Sequence, residues 1–291
     1  MSNSVPPKKR ELLDPDDIVK DLRDLPSAPA VLPKLLTILN DASASMWDVI
    51  ALVKIEPGIA ARVLQLANSA YYSKGGRCTS IDEGVNRVGF LKIYEVVAYA
   101  VSSQLLMRNL AAYGIEAEEL WRRSVGCAIG SAILAPVCEL DTDVAYTIGL
   151  FHAVGLVAID SWLKADESPV TLESAGLPQE TTGAEKRAIG FGNGSIGAAL
   201  LKNWSFRPNI CDAVRWQYAP QSAGINRKAA SLLHVSKWLQ AAALSADPAR
   251  RPPLPDASIL AELHLEKNDI EDRCAEVREE FNRASLMLAG P

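Results

Sequence analysis

The chain is poor in the side chains on which metal and thiol chemistry depend. Of its 291 residues three are His, and its five Cys, at positions 78, 127, 138, 211 and 274, include no C-x-x-C pair. That number and spacing provide neither a disulfide framework nor a zinc site, and fit reduced thiols in a cytoplasm. A basic surplus is lacking too. The formal net charge is −5 and the pI near 5.4, whereas a nucleic-acid partner calls for a cationic face that displaces phosphate counterions. The one basic run, Lys8 to Arg10, falls in a solvated leader. No apolar h-region follows Met1, which argues against a signal peptide. The longest nearly uncharged stretch, Ser124 to Cys138, is too short to span a membrane and carries Pro136, so it reads as a core helix. Also missing are G-x-S-x-G and, in the Gly-rich GFGNGSIG, the Lys-Ser/Thr ending of a P-loop; this excludes a serine-hydrolase elbow and a phosphate cradle of that type. No alternating run is long enough for a strand.

What the chain does have is helical period almost throughout, with 48% hydrophobic and 22% charged residues, enough to bury a core. The predicted fold class is all-α. Helix starts are marked by Asp14 before Pro15, Ser27, Ser45 with Asp48, Glu56 before Pro57, and Ser80 with Glu83. Leu32, Leu35, Leu36 and Leu39 recur at helical spacing and are expected to pack on Ile50, Val53, Val63, Leu64 and Leu66 of the next two helices. A long helix is expected from Phe90 to Ala112, ending at Gly114, and another from Glu116 to about Pro136, where Gly126, Ala128, Gly130, Ser131 and Ala132 permit close helix approach. Residues 164–182 are weakly patterned. Helices resume around Ala184, Ser195 and Pro208, and after the break at 251–257 a terminal helical appendage follows. The expected organisation is a flexible tail at 1–13, a helical domain at 14–243 with subdomains of about 14–110 and 116–243 sharing one core, and a C-terminal helical extension at 244–291.

The segments IEPGIAARVLQLANSAYY and TSIDEGVNRVGFLKIYEVV, preceded by DLPSAPAVLPKLLTILND, are followed in order by LWRRSVGCAIGSAILA, AYTIGLFHAVGL, AEKRAIGFGNGSIGAALLKNW and PNICDAVRWQYAP. Together, over roughly Asp21 to Pro220, they resemble the HDOD domain, the HD-related output domain of bacterial signalling proteins. The resemblance implies an HD-like multi-helical bundle. It also implies kinship with HD-type phosphohydrolases, including the HD-GYP enzymes that hydrolyse cyclic di-GMP, which hold a divalent metal through His and Asp from several helices. Such a metal needs several protein donors and an open position before it can lower the pKa of a bound water.

Aligned on those motifs, Arg123 stands where the enzymes place a first His, His152 remains, and Ala153 replaces the Asp that follows it. Asn193 takes the place of a further His, Gln217 and Tyr218 replace a His-His pair, and Lys237 lies about where a final Asp would be. No metal, no catalytic residue and no cofactor are expected. His152 reads as a core residue with one ring nitrogen bonded to a backbone carbonyl. Arg123 reads either as paired with a carboxylate or, with Asn193 and Gln217, as part of an anion pocket. Arg123 and Arg215 are the cations expected near these positions. Asn68, Ser69 and Gly89 read as architecture, Cys127 and Cys138 as inert, and His234 and His264 as belonging to separate helical patterns; Tyr71, Tyr72 and Trp47 are either a partner surface or packing. The expected function is a non-catalytic, cytoplasmic regulatory module that acts through an unidentified protein partner, without nucleic acid or membrane. One alternative is a metal-free nucleotide sensor. The other is a cryptic phosphohydrolase using Asp141, Asp143 or Asp160.

Overall fold

The chain caps its helices where the sequence marks it. Asp14 accepts from the backbone N–H of Asp16 at 3.0 Å, Asp48 accepts from both N–H and hydroxyl of Ser45 at 2.8 Å, and the Ser80 hydroxyl accepts from the Glu83 N–H at 3.2 Å. The structure, a computed structural model, describes residues 14–22, 31–39, 41, 45–55, 57–69, 72, 76–89, 92–95, 97–98, 105–165, 171–172, 178–245 and 251–289. The leader at 1–13, Ser27, Glu56, Tyr71 and Phe90 lie outside them. The helices are α1 (Pro15–Asp21), α2 (Val31–Leu39), α3 (Met46–Ile55), α4 (Pro57–Ala67), α5 (Ile81–Val88), α6 (Ala117–Leu134), α7 (Thr142–Phe151), α8 (Val154–Ala165), α9 (Pro178–Ile189), α10 (Asn193–Asn203), α11 (Pro208–Arg215), α12 (Arg227–Leu244), α13 (Ala257–Glu262) and α14 (Lys267–Ala289). Among the described residues there is no strand, and the one extended pairing is an isolated antiparallel bridge between Leu110 and Ile115. The fold is an all-α, HD-like bundle.

In the N-terminal part, α2 to α5 pack on one another, burying Leu35 and Leu36 in one core with Ile50, Val53, Val63 and Leu66. Asn68 fixes the exit from α4: its side-chain amide donates to the carbonyls of Leu64 and Cys78, both at 2.9 Å, and its oxygen accepts from the Cys78 N–H at 2.7 Å. Ser69 turns the chain, donating its N–H to Leu66 and accepting from the Tyr72 N–H. Gly89 closes α5 at φ +92°, a conformation that L side chains rarely adopt, with its N–H on the Val85 carbonyl. Tyr94 then joins this part to the rest, hydrogen-bonding Thr147 and meeting the Tyr146 ring edge-on at 6.4 Å.

The expected helix from Phe90 to Ala112 falls partly outside the described residues, and within them it stops early. Residues 92–95, 97–98 and 105–106 are helical, but the chain bends at 107 and 108 and residues 111–113 form a 3-10 turn ending at Gly114, φ +61°. The bridge between Leu110 and Ile115, and the Asn109 side chain accepting from the Ala117 N–H at 2.8 Å, satisfy backbone groups that a continued helix would have used itself. Helix α9 begins at Pro178, earlier than the expected Ala184, with Pro at its first position.

In the rest of the chain α6 packs on α7, α12 and α14, and α10 packs on α8 and α11. Gly149 of α7 lies so close to α6 that a Cβ there would come within 2.6 Å of the Cys127 carbonyl oxygen, and a Cβ on Gly126 of α6 would come within 2.7 Å of Gln240 and Leu244 of α12. Gly155 of α8 is tighter still, with a would-be Cβ 1.9 Å from the Asn193 carbonyl oxygen of α10. Helix α1 lies on α10 and α8, with Ile18 buried, and so packs on the second half of the chain rather than on α2 to α5. Helix α14 runs along α12 and α6, with Phe281 against Trp121 at 5.4 Å and Arg278 donating to the Ala243 carbonyl at 3.0 Å. One contiguous apolar core includes residues of all these elements. The span Thr142–Ala165, α7 and α8 with the turn between, is long and apolar enough to cross a membrane by length and composition; 83% of its apolar window is buried inside the bundle.

Candidate functional site

The turn between α7 and α8 puts His152 and Ala153 at the bottom of a groove, and four other elements bring polar side chains to it. His152 is buried and its Nδ1 lies 2.7 Å from the carbonyl oxygen of Gly149. Its own carbonyl accepts from Gln217 Nε2 at 2.9 Å, an amide that also donates to Val214 at 3.0 Å. Gln217 Oε1 accepts from Lys237 Nζ at 2.8 Å, and the same ammonium stands 3.6 Å from the centroid of the Tyr218 ring. This combines a charge-assisted hydrogen bond with a cation–π contact. The Tyr218 hydroxyl donates to Asn193 Oδ1 at 3.1 Å. Five of the six residues expected at the degenerate positions, with Lys237, thus belong to one connected cluster around Ala153.

The sixth, Arg123, stands on the flank. Its Nε donates to Glu119 one turn earlier on α6 at 2.7 Å, and the other oxygen of Glu119 takes Arg122. The carboxylate pairing expected as the plain reading of Arg123 is present, but one carboxylate serves two guanidiniums. Burial pushes the Glu119 carboxyl up, and those guanidiniums outweigh it and hold it below the usual range.

The sequence reading missed the group beneath. Glu185 of α9 is fully buried, and its carboxylate accepts from the Asn193 backbone N–H at 2.6 Å, from Asn193 Nδ2 at 2.9 and 3.0 Å, and from the Tyr113 hydroxyl at 2.8 Å. Burial raises its pKa, and these donors offset part of that rise. Burial also dominates at His152, whose imidazole is pushed down to about 3, with Lys237 and Arg123 adding to the fall while the Gly149 carbonyl opposes it. Lys237 is pushed down to about 7, first by burial and further by Arg123, against the pull of Cys127 and Glu185. Burial favours the neutral imidazole, with the Gly149 carbonyl as the partner of Nδ1.

Other expected residues fall elsewhere. His234 lines the same groove as His152, with Nδ1 3.0 Å from the Gln217 carbonyl, so the two histidines share one site although they come from separate helices. His264 is not helical; it is exposed and adopts φ +55° in the turn between α13 and α14. Arg215 is exposed and does not line the groove. Asp141 caps α7, accepting from the Val144 N–H at 2.8 Å, and Asp160 is bound by the Ala112 N–H at 2.9 Å and by Lys164 at 2.7 Å. The Asp143 carboxyl is raised to about 6, chiefly by burial, and none of these three carboxylates reaches the groove. Among the described residues no group of three or more His, Cys, Asp or Glu is placed to hold a metal ion. Cys127 and Cys138 are buried, and burial lifts their thiols to about 12 and about 11, far from the thiolate form.

The groove itself has a volume of about 1280 Å³ and opens between α6, α12 and the segment leading into α13. Arg122, Arg123, Arg227, Lys237 and Arg251 line it, with Glu119, Asp256 and Glu262 as the acidic groups. Of these cations only Arg123 and Lys237 were foreseen.

An all-helical bundle with its polar cluster at the α7–α8 turn defines the class as HD-like. Within that class, residues 25–220 match the HDOD domain, and the chain belongs to that family. The fold recurs in a Marinobacter aquaeolei VT8 protein named for signal transduction, at 20% identity and a TM-score of 0.69 over 96% of this chain and 62% of that one. It recurs in an HDOD domain protein of unknown function from Geobacter sulfurreducens, at 19% identity and 0.65 over 92% and 97%. A Shewanella amazonensis SB2B protein named as a phosphohydrolase gives 23% identity and 0.63 over 93% and 96%. In sequence, an uncharacterized protein of Treponema pallidum (strain Nichols) is 25% identical over 206 residues, which are 69% of this chain; the chain spans 39% of that protein's length.

Proposed function

We propose that the chain is a non-catalytic signalling module which works by contact with a partner protein in the cytoplasm and carries an HD site that no longer binds metal. The observation that carries this reading is the ammonium of Lys237, bonded to Gln217 and lying over Tyr218 in the middle of the cluster where the enzymes gather their donors. An ammonium repels a divalent ion, and the surrounding guanidinium, amides and phenol are not the imidazoles and carboxylates that such an ion requires. Of the aligned positions only His152 keeps a donor of the right kind, and Ala153 offers no carboxylate beside it; with His234 and Glu185 nearby, no group of three metal donors forms among the described residues. These residues do not fit the metal.

Membership of the HDOD family supports the signalling part. The partner surface finds support in Trp47 and Met107, 70% and 55% exposed, each a large apolar side chain that contributes little to the core. Tyr72, by contrast, packs against the core.

Elemental analysis of purified protein, combined with a phosphodiesterase assay with and without chelator, tests the reading. Substoichiometric transition metal and no chelator-sensitive turnover are expected, and Ala153→Asp alone should restore neither. Stoichiometric manganese, iron or zinc, or hydrolysis lost on chelation, would overturn it.

A further inference from the structure

The groove above the cluster is cationic in an acidic protein. Five cations and three carboxylates line it, a surplus of two positive charges, while the whole chain carries −5. Pairing within the groove is incomplete. Arg122 and Arg123 share the single carboxylate of Glu119, Arg227 takes Glu262 at 3.0 Å, and Arg251 has no carboxylate partner among the described residues. Lys237 bonds only neutral groups, the Gln217 oxygen and the Tyr218 ring; in its ammonium form it has three N–H donors, so one remains for a ligand whose negative charge would itself draw the amine to that form. Arg123 and Lys237 line the same groove, and the guanidinium helps to hold the Lys237 amine below its usual range. Glu119 holds Arg123 from the flank and leaves Lys237 without a carboxylate of its own in the groove, so an anion entering between the two cations gains from both.

The geometry points to a small organic phosphate as the ligand of this groove, its phosphate held between Arg123 and Lys237 and its organic part along the wall formed by Leu244, Pro252, Leu254 and Ile259. A guanidinium fork and a mobile ammonium together suit the several oxygens of a phosphate, and a dianion offsets the surplus of two. The volume, about 1280 Å³, is far more than one tetrahedral ion fills and admits a ligand of nucleotide size. The apolar wall would be redundant for a free ion. This inference goes beyond the adaptor reading and does not require it.

Isothermal titration of the full chain at constant ionic strength tests it, with adenosine monophosphate, inorganic phosphate and citrate as probes. Expected are micromolar binding of the nucleotide, binding of inorganic phosphate at least tenfold weaker, and no binding of citrate. Arg123→Gln, on the half-exposed flank of α6, and Lys237→Met should each weaken the nucleotide at least tenfold, the former with unchanged melting temperature. No heat with either phosphate at millimolar concentration would overturn the proposal. So would equal affinity in both variants, citrate binding as tightly as the nucleotide, or inorganic phosphate binding as tightly as the nucleotide. Chromatography of the nucleotide after incubation separates this from the reading above: binding with the nucleotide consumed refutes the non-catalytic function and leaves the ligand site standing, whereas an inert protein that binds nothing refutes only the ligand site.

Discussion

The floor and the mouth of the groove are both polar and behave differently. On the floor, Glu185, Asn193, Tyr113, Gln217 and the His152 backbone satisfy one another completely enough to be buried. At the mouth, Arg122, Arg123, Arg227 and Arg251 outnumber their carboxylates and face open space. A polar group whose partners are all internal holds helices together, while one whose partners are too few is free to recognise something else. The cluster divides along that line: its deep half serves as architecture and its rim is open to solvent.

The largest expected effect breaks the floor at its closest approach. Gly155→Val forces a side chain into the Asn193 carbonyl, already 1.9 Å from where a Cβ would stand, and should destabilise the protein by about 3 kcal/mol or more in denaturant titration. Next, His152→Ala should cost about 1–3 kcal/mol at neutral pH through lost packing and an unpaired Gly149 carbonyl. The same variant should alter the acid limb. Because the folded imidazole is depressed from 6.5 to about 3, the unfolded chain binds a proton across that interval that the native protein refuses, so native stability falls as pH drops through it; the Ala variant should lack this contribution.

Lys237 connects floor and mouth and gives the opposite limb. Its folded pKa lies near 7 against 10.5 unfolded, so the unfolded state holds more protons between those values and stability rises with pH across them. Comparing wild type with Lys237→Met at pH 7 and 9 by chemical denaturation should reveal a rise of about 2 kcal/mol that the variant lacks. A parallel pH dependence in both proteins would mean that Lys237 is not held in the cluster. The smallest effect belongs to the rim: Arg251→Gln, at an exposed position, should change stability by no more than about 0.5 kcal/mol.

How far the site was legible in the sequence follows the same division between local and distant causes. The caps at Asp14, Ser45 and Ser80 and the Arg123–Glu119 pair are set by spacings of two to four residues, and such spacings can be read directly. The positions of His152, Ala153, Asn193, Gln217, Tyr218 and Lys237 were readable only through the family resemblance. Glu185 gave no signal, because AEKRAIG reads as a charged outer face; only the approach of Tyr113 and Asn193 turns that one carboxylate inward while Lys186 and Arg187 stay exposed. Arg251 joins the groove from a Pro-rich break more than a hundred residues after Arg123, and nothing local links the two. The early end of the helix before Gly114 was illegible for a related reason: Leu110 is held by its pairing with Ile115, a contact that helical periodicity does not encode.

The near-continuity of α7 and α8 has a consequence for biosynthesis. An 18-residue window within Thr142–Ala165 has a mean hydropathy of 1.5, and the cover of this span includes α10, whose Asn193 closes over Gly155. A ribosome releasing about 5–20 residues per second therefore presents this greasy segment for seconds before the helix that seals it has been made. During that interval it resembles a membrane anchor to any targeting factor at the exit tunnel. The break at His152 and Ala153, which interrupts the regular helix midway, shortens each uninterrupted apolar helix to about half the length that a bilayer core demands. The turn at the floor of the groove thus also limits the length of apolar helix that the newborn chain can offer to a bilayer.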